Sequence, residues 1–379
     1  MLFKQGSFYA CSARHTIPSQ EDEPFGNKAI TIDVKTGKLF CFLRSEKVMR
    51  GLLCLAAIIM IAVSGGAALA QTDMKPPVAK KVPKVLKIHG YEITDNYAWL
   101  RDREEKKDPE VIKYLEAENA YTEAHMGPHK AFADNLYNEM LGRIKQTDQS
   151  VPYKLGDYWY LTKTEEGKQY PTYLRGTSPD GKDAVVLLDQ NAMAAGFKYF
   201  AISSFEPSDD GNMLAFATDT TGYRQYTLQI KDLKTGKMLA DKIERVTGVE
   251  WSPDGKYIFY SQEDPTSKRT DKIYRHTVGT TGPDELIFED KDVLYNLGIG
   301  RSRDKKMYFI GSYAKTSREF WYLPADEPTG KFKMISKRRE GHEYSADYNN
   351  GEFFFVTNKD AENFKVMRAS GSDPSEANW

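Results

Sequence analysis

The sequence predicts a mainly β protein, a partial β-propeller preceded by an α-helical segment, and three observations carry that expectation. After Lys145 the chain changes to short aromatic and β-branched runs separated by Gly, Asp, Asn and Pro turns, which is the pattern of strands. Four of these runs share one plan, a polar turn followed by a strand: "EPSDDGNMLAFAT" (206–218), "EWSPDGKYIFYSQ" (250–262), "GRSRDKKMYFIGS" (300–312) and "SADYNNGEFFFVT" (345–357). Their turn residues Gly211, Gly255, Lys305 and Gly351 recur at intervals of 44, 50 and 46, the period of a propeller blade, and a looser copy, "KLGDYWYLTK" (154–163), precedes them. Ahead of Lys145, apolar residues recur instead at helical spacing.

In chain order, residues 49–70 come first, because "GLLCLAAIIMIAVSGGAALA" (51–70) is an uncharged apolar run behind Arg50 that closes on Ala68-Leu69-Ala70. This reads as a secretory signal peptide cleaved after Ala70, which implies a periplasmic or secreted product. A membrane anchor is the competing reading, since about 20 apolar residues span a bilayer. The glycines and alanines before Gln71 favour cleavage. Residues 1–48 fit no part of a signal and Met49-Arg50 makes an ordinary start, so they are expected to be an upstream extension of the true product.

Residues 71–90, rich in Pro and Lys, read as an extended lead-in. Residues 91–147 read as an amino-terminal helical segment. There Asp108 caps a helix with Pro109 at its first position, and Val111, Tyr114, Leu115, Ala117, Tyr121 and Ala124 recur near helical spacing. A second helix follows "MGPH", with Phe132, Leu136, Tyr137, Met140, Leu141 and Ile144 on one broad apolar face. Residues 148–379 read as the incomplete propeller.

The 379 residues carry a formal net charge of -1, so no global field recruits nucleic acid, or a membrane once the signal is removed. The three cysteines, Cys11, Cys41 and Cys54, all precede Ala70, which leaves no disulfide framework in the mature chain.

Chemistry-bearing motifs are sparse. No G-x-S-x-G, P-loop, H-E-x-x-H or Cys-x-x-Cys occurs, so no α/β-hydrolase domain is expected here and no catalytic, cofactor-binding or metal residue is assigned. Ser252 stands beside Asp254, but Ser208 and Asp210 hold the same places one unit earlier, so both pairs read as turn residues bonding their own backbone. His125 and His129 have the spacing of a helical metal pair, with Gly127-Pro128 breaking the helix between them. The pairs Glu104-Glu105 and Glu165-Glu166 point their side chains apart and read as solvated surface. The clusters "YWY" (158–160), "FWY" (320–322) and "FFF" (353–355) read as strand core rather than stacking platforms.

"YEITDNYAWLRD" (91–102) with "DPEVIKYLEAENAYTEAHM" (108–126) resembles the amino-terminal segment of the prolyl oligopeptidase family. "SVPYKLGDYWYLTKTEEGKQYPTYLR" (150–175), "YRQYTLQIKDLKTG" (223–236), "KIYRHTVGT" (272–280), "KRREGHEYSADY" (337–348) and "NKDAENFKV" (358–366) resemble its oligopeptidase B, or protease II, branch. The resemblance runs from about residue 76 to Trp379. It implies a seven-bladed propeller, of which about five blades are present, that limits access to short peptides. It also implies an α/β-hydrolase domain, absent from this chain, whose Ser, Asp and His cleave short peptides after Lys or Arg. On that reading the chain is the front part of a peptidase, inactive alone, and its partners are the missing hydrolase domain and, in the complete enzyme, short peptides. The alternative is a non-catalytic periplasmic propeller that binds peptides or proteins.

Overall fold

The structure, a computed structural model, describes residues 74–101 and 108–379. The expected upstream extension (1–48) and expected signal peptide (49–70), the three cysteines and Glu104-Glu105 lie outside the described residues. The chain divides into two units, Tyr9–Lys145 and a second that takes in Gln146–Trp379.

The described part of the first unit opens with an antiparallel hairpin, β1 (Lys84–Ile88) and β2 (Tyr91–Asp95). Ile88 pairs with Tyr91, leaving a two-residue turn in which His89 (φ 50°) and Gly90 (φ 83°) are both left-handed. That turn suits the twist of two flanking strands. The lead-in expected over 71–90 therefore contains a strand, and the segment expected to be helical from 91 begins with another. Helix α1 (Pro109–Met126) starts where its cap requires, with the Asp108 carboxylate accepting from the Glu110 N–H at 2.9 Å and Pro109 in the first turn. A 3-10 turn over Gly127–His129 separates it from α2 (Lys130–Gly142). On and just beyond α2, Phe132, Tyr137, Met140 and Ile144 are exposed.

The second unit is a succession of five sheets, and every strand pairing among the described residues is antiparallel. Blade 1 holds β3 (Asp148–Gln149), β4 (Tyr153–Leu155), β5 (Tyr158–Thr164), β6 (Thr172–Gly176) and β7 (Val185–Asp189), followed by the short α3 (Gln190–Met193). Blade 2 holds β8 (Ala201–Pro207), β9 (Met213–Asp219), β10 (Thr227–Asp232) and β11 (Met238–Glu244). Blade 3 holds β12 (Val246–Trp251), β13 (Tyr257–Glu263), β14 (Thr270–Thr277) and β15 (Glu285–Glu289). Blade 4 holds β16 (Asn296–Arg301), β17 (Met307–Tyr313), β18 (Arg318–Pro324) and β19 (Lys333–Ser336). Blade 5 holds β20 (Tyr344–Asn349), β21 (Glu352–Thr357) and β22 (Lys365–Ser370). Strands follow one another across each of blades 2 to 5, as a meander does.

The hydrophobic core lies between blades. Ala215, Leu228 and Ile230 of blade 2 pack with Val249, Trp251 and Ile258 of blade 3. Ile273 of blade 3 meets Leu297, Ile310 and Trp321 of blade 4, and Met307 and Phe309 of blade 4 meet Tyr344, Phe353 and Phe355 of blade 5. A single sheet has two faces to bury and no second layer of its own, so each blade depends on its neighbours.

The repeated turn explains the repeat in the sequence. Ser208, Ser252 and Ser302 each donate a hydroxyl to the aspartate two residues on, at 2.6, 2.7 and 2.7 Å. Each hydroxyl oxygen also accepts the N–H five residues on, at 2.9 Å in all three. The residue after the aspartate is left-handed, Gly211 at φ 67°, Gly255 at 69° and Lys305 at 62°. Ser252 is wholly buried in this network, which is the turn role expected of it. The fifth repeat departs from the shared plan: Asn349 pairs with Glu352 across a two-residue Asn350-Gly351 turn. Its Asp347 carboxylate serves the N–H groups of Tyr348 and of Arg303 in blade 4 instead.

Candidate functional site

The side chains singled out in the sequence do not converge. His125 ends α1, 3.5 Å from the Tyr121 hydroxyl, while His129 lies in the separate 3-10 turn. Glu165 pairs with Lys168 at 2.8 Å in the loop after β5. Tyr160, Trp321, Phe353 and Phe355 are buried strand residues packed on other apolar side chains. Among the described residues no group of three or more His, Cys, Asp or Glu side chains is placed to hold a metal, and no helix is long and apolar enough to cross a membrane.

A charged cluster forms instead where the first strands of blades 2, 3 and 4 lie side by side, β12 touching β8 on one side and β16 on the other. Glu206 and Glu250 each stand two residues before the turn serine of their blade, and Gly300 stands at the same place in blade 4. A Cβ at Gly300 would meet nothing within 4 Å, so the third blade of the set leaves space where the other two carry carboxylates. Two tethers join the blades here: the Trp251 indole N–H of β12 donates to the Glu206 carbonyl of β8 at 2.7 Å, and the Tyr308 hydroxyl of β17 donates to the Trp251 carbonyl at 2.9 Å.

Arg301 of β16 closes the cluster. Its guanidinium grips Asp209, in the blade 2 turn, through two bonds of 2.8 and 2.7 Å, and the Lys305 ammonium reaches the same carboxylate at 2.7 Å. These bonds join blade 4 to blade 2 past blade 3. The third guanidinium nitrogen, Nε, is buried without a hydrogen bond and stands 3.6 Å from Glu250. Burial opposes the charge on Asp209, but its bonds to Arg301 and Lys305 hold the carboxyl below the usual range. The other two carboxylates have no such grip. Burial, together with the charge of Glu250, pushes Glu206 up to about 7, and burial pushes Glu250 up to about 7 despite Arg301.

Three carboxylates therefore share two cations, a surplus of one negative charge that a single proton, held by Glu206 or Glu250, cancels near neutral pH. Fully ionised, the cluster carries one surplus negative charge and attracts cationic groups. The repeat alignment already places Glu206 and Glu250 at one position. Asp209, Arg301 and Lys305 meet only through the fold, from 92 and 96 residues apart.

Comparison with known proteins agrees with this architecture. The family model described as "Prolyl oligopeptidase, N-terminal beta-propeller domain" matches residues 76–379. The chain is 39% identical over 345 residues to dipeptidyl aminopeptidase BI of Pseudoxanthomonas mexicana, covering 86% of this chain and 47% of that protein. It is 33% identical over 311 residues to Protease 2 of Moraxella lacunata, covering 80% of this chain and 44% of that one. The structure of oligopeptidase B from Leishmania major superposes with a TM-score of 0.73 at 26% identity, over 80% of this chain and 45% of that chain. Oligopeptidase B from Trypanosoma brucei gives a TM-score of 0.71 at 28% identity, with the same coverage. The chain spans about half the length of the relatives it matches. Five antiparallel blades with their cores between them, matched in sequence along 76–379 and in shape over 80% of the chain, place this chain in the prolyl oligopeptidase family as its N-terminal β-propeller domain.

Proposed function

We propose that this chain is the propeller portion of a secreted serine oligopeptidase that hydrolyses short peptides after Lys or Arg, and that it cleaves nothing by itself. The carrying observation is the match to Protease 2 and to two oligopeptidase B structures over nearly the whole described chain. The all-antiparallel blades offer no strand-turn-helix elbow for a nucleophilic serine, so the Ser, His and Asp of the reaction are assigned to a catalytic domain that works with this one. The propeller's part is exclusion: it admits short, unstructured peptides and keeps folded proteins out. Above about pH 7, where Glu206 and Glu250 are both ionised, the cluster's surplus negative charge suits peptides carrying basic side chains.

A second reading concerns where the peptide is cut. The relative at 39% identity is named a dipeptidyl aminopeptidase, which favours removal of dipeptides from free amino termini over internal cleavage. Both readings are tested by expressing the open frame from codon 49 through its continuation past codon 379. The product is assayed on Lys- and Arg-terminated chromogenic peptides with free or blocked amino termini. Turnover of blocked substrates supports the endopeptidase, and turnover of free dipeptidyl substrates alone supports the second reading. Cleavage by residues 71–379 alone, or a preference for another residue, would overturn the proposal. Binding of peptides without cleavage by any product of the frame would favour a non-catalytic propeller. Export is checked by sequencing the amino terminus of the periplasmic protein, expected at Gln71.

A further inference from the structure

Outside the charged cluster of β8, β12 and β16, one buried titratable group is held in an arrangement that dictates its charge. His276 of β14 is 2% exposed, at the junction between blades 2 and 3. Its Nδ1 stands 2.7 Å from a carboxylate oxygen of Asp284, just before β15, and its Nε2 stands 2.7 Å from a carboxylate oxygen of Asp241, in β11 of blade 2. A neutral imidazole has one N–H to give, and the second nitrogen would turn a lone pair on an anionic oxygen. Both contacts are favourable only when the ring carries two protons.

The remaining groups around the ring strengthen this requirement. The same Asp241 oxygen accepts the Gly279 N–H at 2.7 Å, and the other oxygen of Asp241 is buried without a partner. Asp284 accepts the Tyr260 hydroxyl of β13 at 2.8 Å. Two carboxylates thus face the imidazole, and a phenol and a backbone N–H are bonded to those carboxylates in turn. Removing a proton from His276 leaves the buried Asp241 and the part-buried Asp284 without the imidazolium's opposing charge, a costly state.

We propose that His276 is a proton-operated fastener between blades 2 and 3. Charged, it ties the outer strand β11 to β14 and to the 278–284 loop. Uncharged, it lets that loop and the outer edge of the junction come away. Burial works against the charge, but the bonds to Asp241 and Asp284 outweigh it, and the pKa of His276 lies above the ordinary 6.5. Its contribution to stability is therefore fully present below 6.5 and is lost as pH rises through the raised value. The junction loosens in alkali. His342 has the opposite sense: burial first, then Arg339, holds it low, so its contribution is lost in acid.

The test uses the full chain with 15N-labelled histidine, the His276 resonances being assigned with His276→Asn. At pH 7 both ring nitrogens are expected to show N–H shifts, with a titration midpoint above 6.5. A broad-specificity protease, normalised on an unfolded peptide at each pH, is then expected to cut within 278–284 faster by up to about tenfold for each pH unit between 6.5 and that midpoint, levelling off above it. Asp284→Asn supplies an amide that can donate to a neutral ring, so in that variant the acceleration should disappear. A single N–H tautomer for His276 at pH 7 would overturn the proposal. So would an equal rise of cleavage with pH in the wild type and in Asp284→Asn.

Discussion

Glu206 and Glu250 take their properties from neighbours that no local stretch of sequence contains. Both are pushed up to about 7 by burial, each with a folded value above the ordinary 4.5. A carboxyl that holds its proton more tightly when folded stabilises the protein fully below the ordinary value, and that contribution drains away as pH climbs to the folded one. The denaturation midpoint should therefore fall between pH 4.5 and 7. In Glu206→Gln/Glu250→Gln that fall should flatten, as urea titrations across the range would reveal; an unchanged slope would mean the two side chains are solvated. At this scale the sequence is a partial guide. The turn role of Ser252 is legible because Ser208 repeats it, and the place shared by Glu206 and Glu250 is legible for the same reason. Arg301 with Asp209, or His276 with Asp241, is not, because each pair joins different blades and only the packing of those blades brings it together.

The repeated turn sets how far one element tolerates change. Gly211 and Gly255 have the same left-handed backbone, and an alanine at either costs about 1 kcal/mol for that conformation alone. Their surroundings differ. A Cβ at Gly211 would stand 2.6 Å from the Tyr158 ring, which the Arg175 guanidinium covers at 4.0 Å, whereas a Cβ at Gly255 would meet only the Met213 methyl at 3.1 Å. Gly211→Ala should accordingly lower the denaturation midpoint more than Gly255→Ala, and the reverse order would show that the blade 1 ring yields easily. Lys305 already occupies the equivalent place in blade 4, so a side chain there is compatible with the turn. The strands were legible from their alternation and turn residues, and α1 from its Asp-Pro start. The hairpin of β1 and β2 was obscured by the Pro- and Lys-rich composition around it, although His89-Gly90 is the kind of dipeptide that closes such a hairpin.

Across the whole molecule the exposed apolar surface is unevenly spread. Phe132, Tyr137 and Ile144 are 70, 59 and 62% exposed, and Val356 and Val366 of blade 5 are 47 and 71% exposed. Burying about 300 Å² of such surface, at about 25 cal/mol per Å², is worth roughly 8 kcal/mol, comparable to the stability of a domain. Residues 71–379 expressed alone should self-associate in sedimentation experiments at micromolar concentration, and Phe132→Ser/Tyr137→Ser should shift them toward monomer. A monodisperse wild-type monomer at all concentrations would refute this.

The bonds from Arg301 and Lys305 to Asp209 have one more consequence. In a linear stack where each blade touches only the next, stability is a sum of neighbour terms, and the array can peel from one end a blade at a time. A bidentate grip from the fourth blade to the second adds a term between next-nearest neighbours, so the middle blade cannot leave while both flanking ones stay joined. Pulled from its carboxyl end in an optical trap, the propeller should give up blade 5 first and then rupture through blades 2 to 4 in a single step. Loss of the Arg301 guanidinium would divide that step into smaller ones.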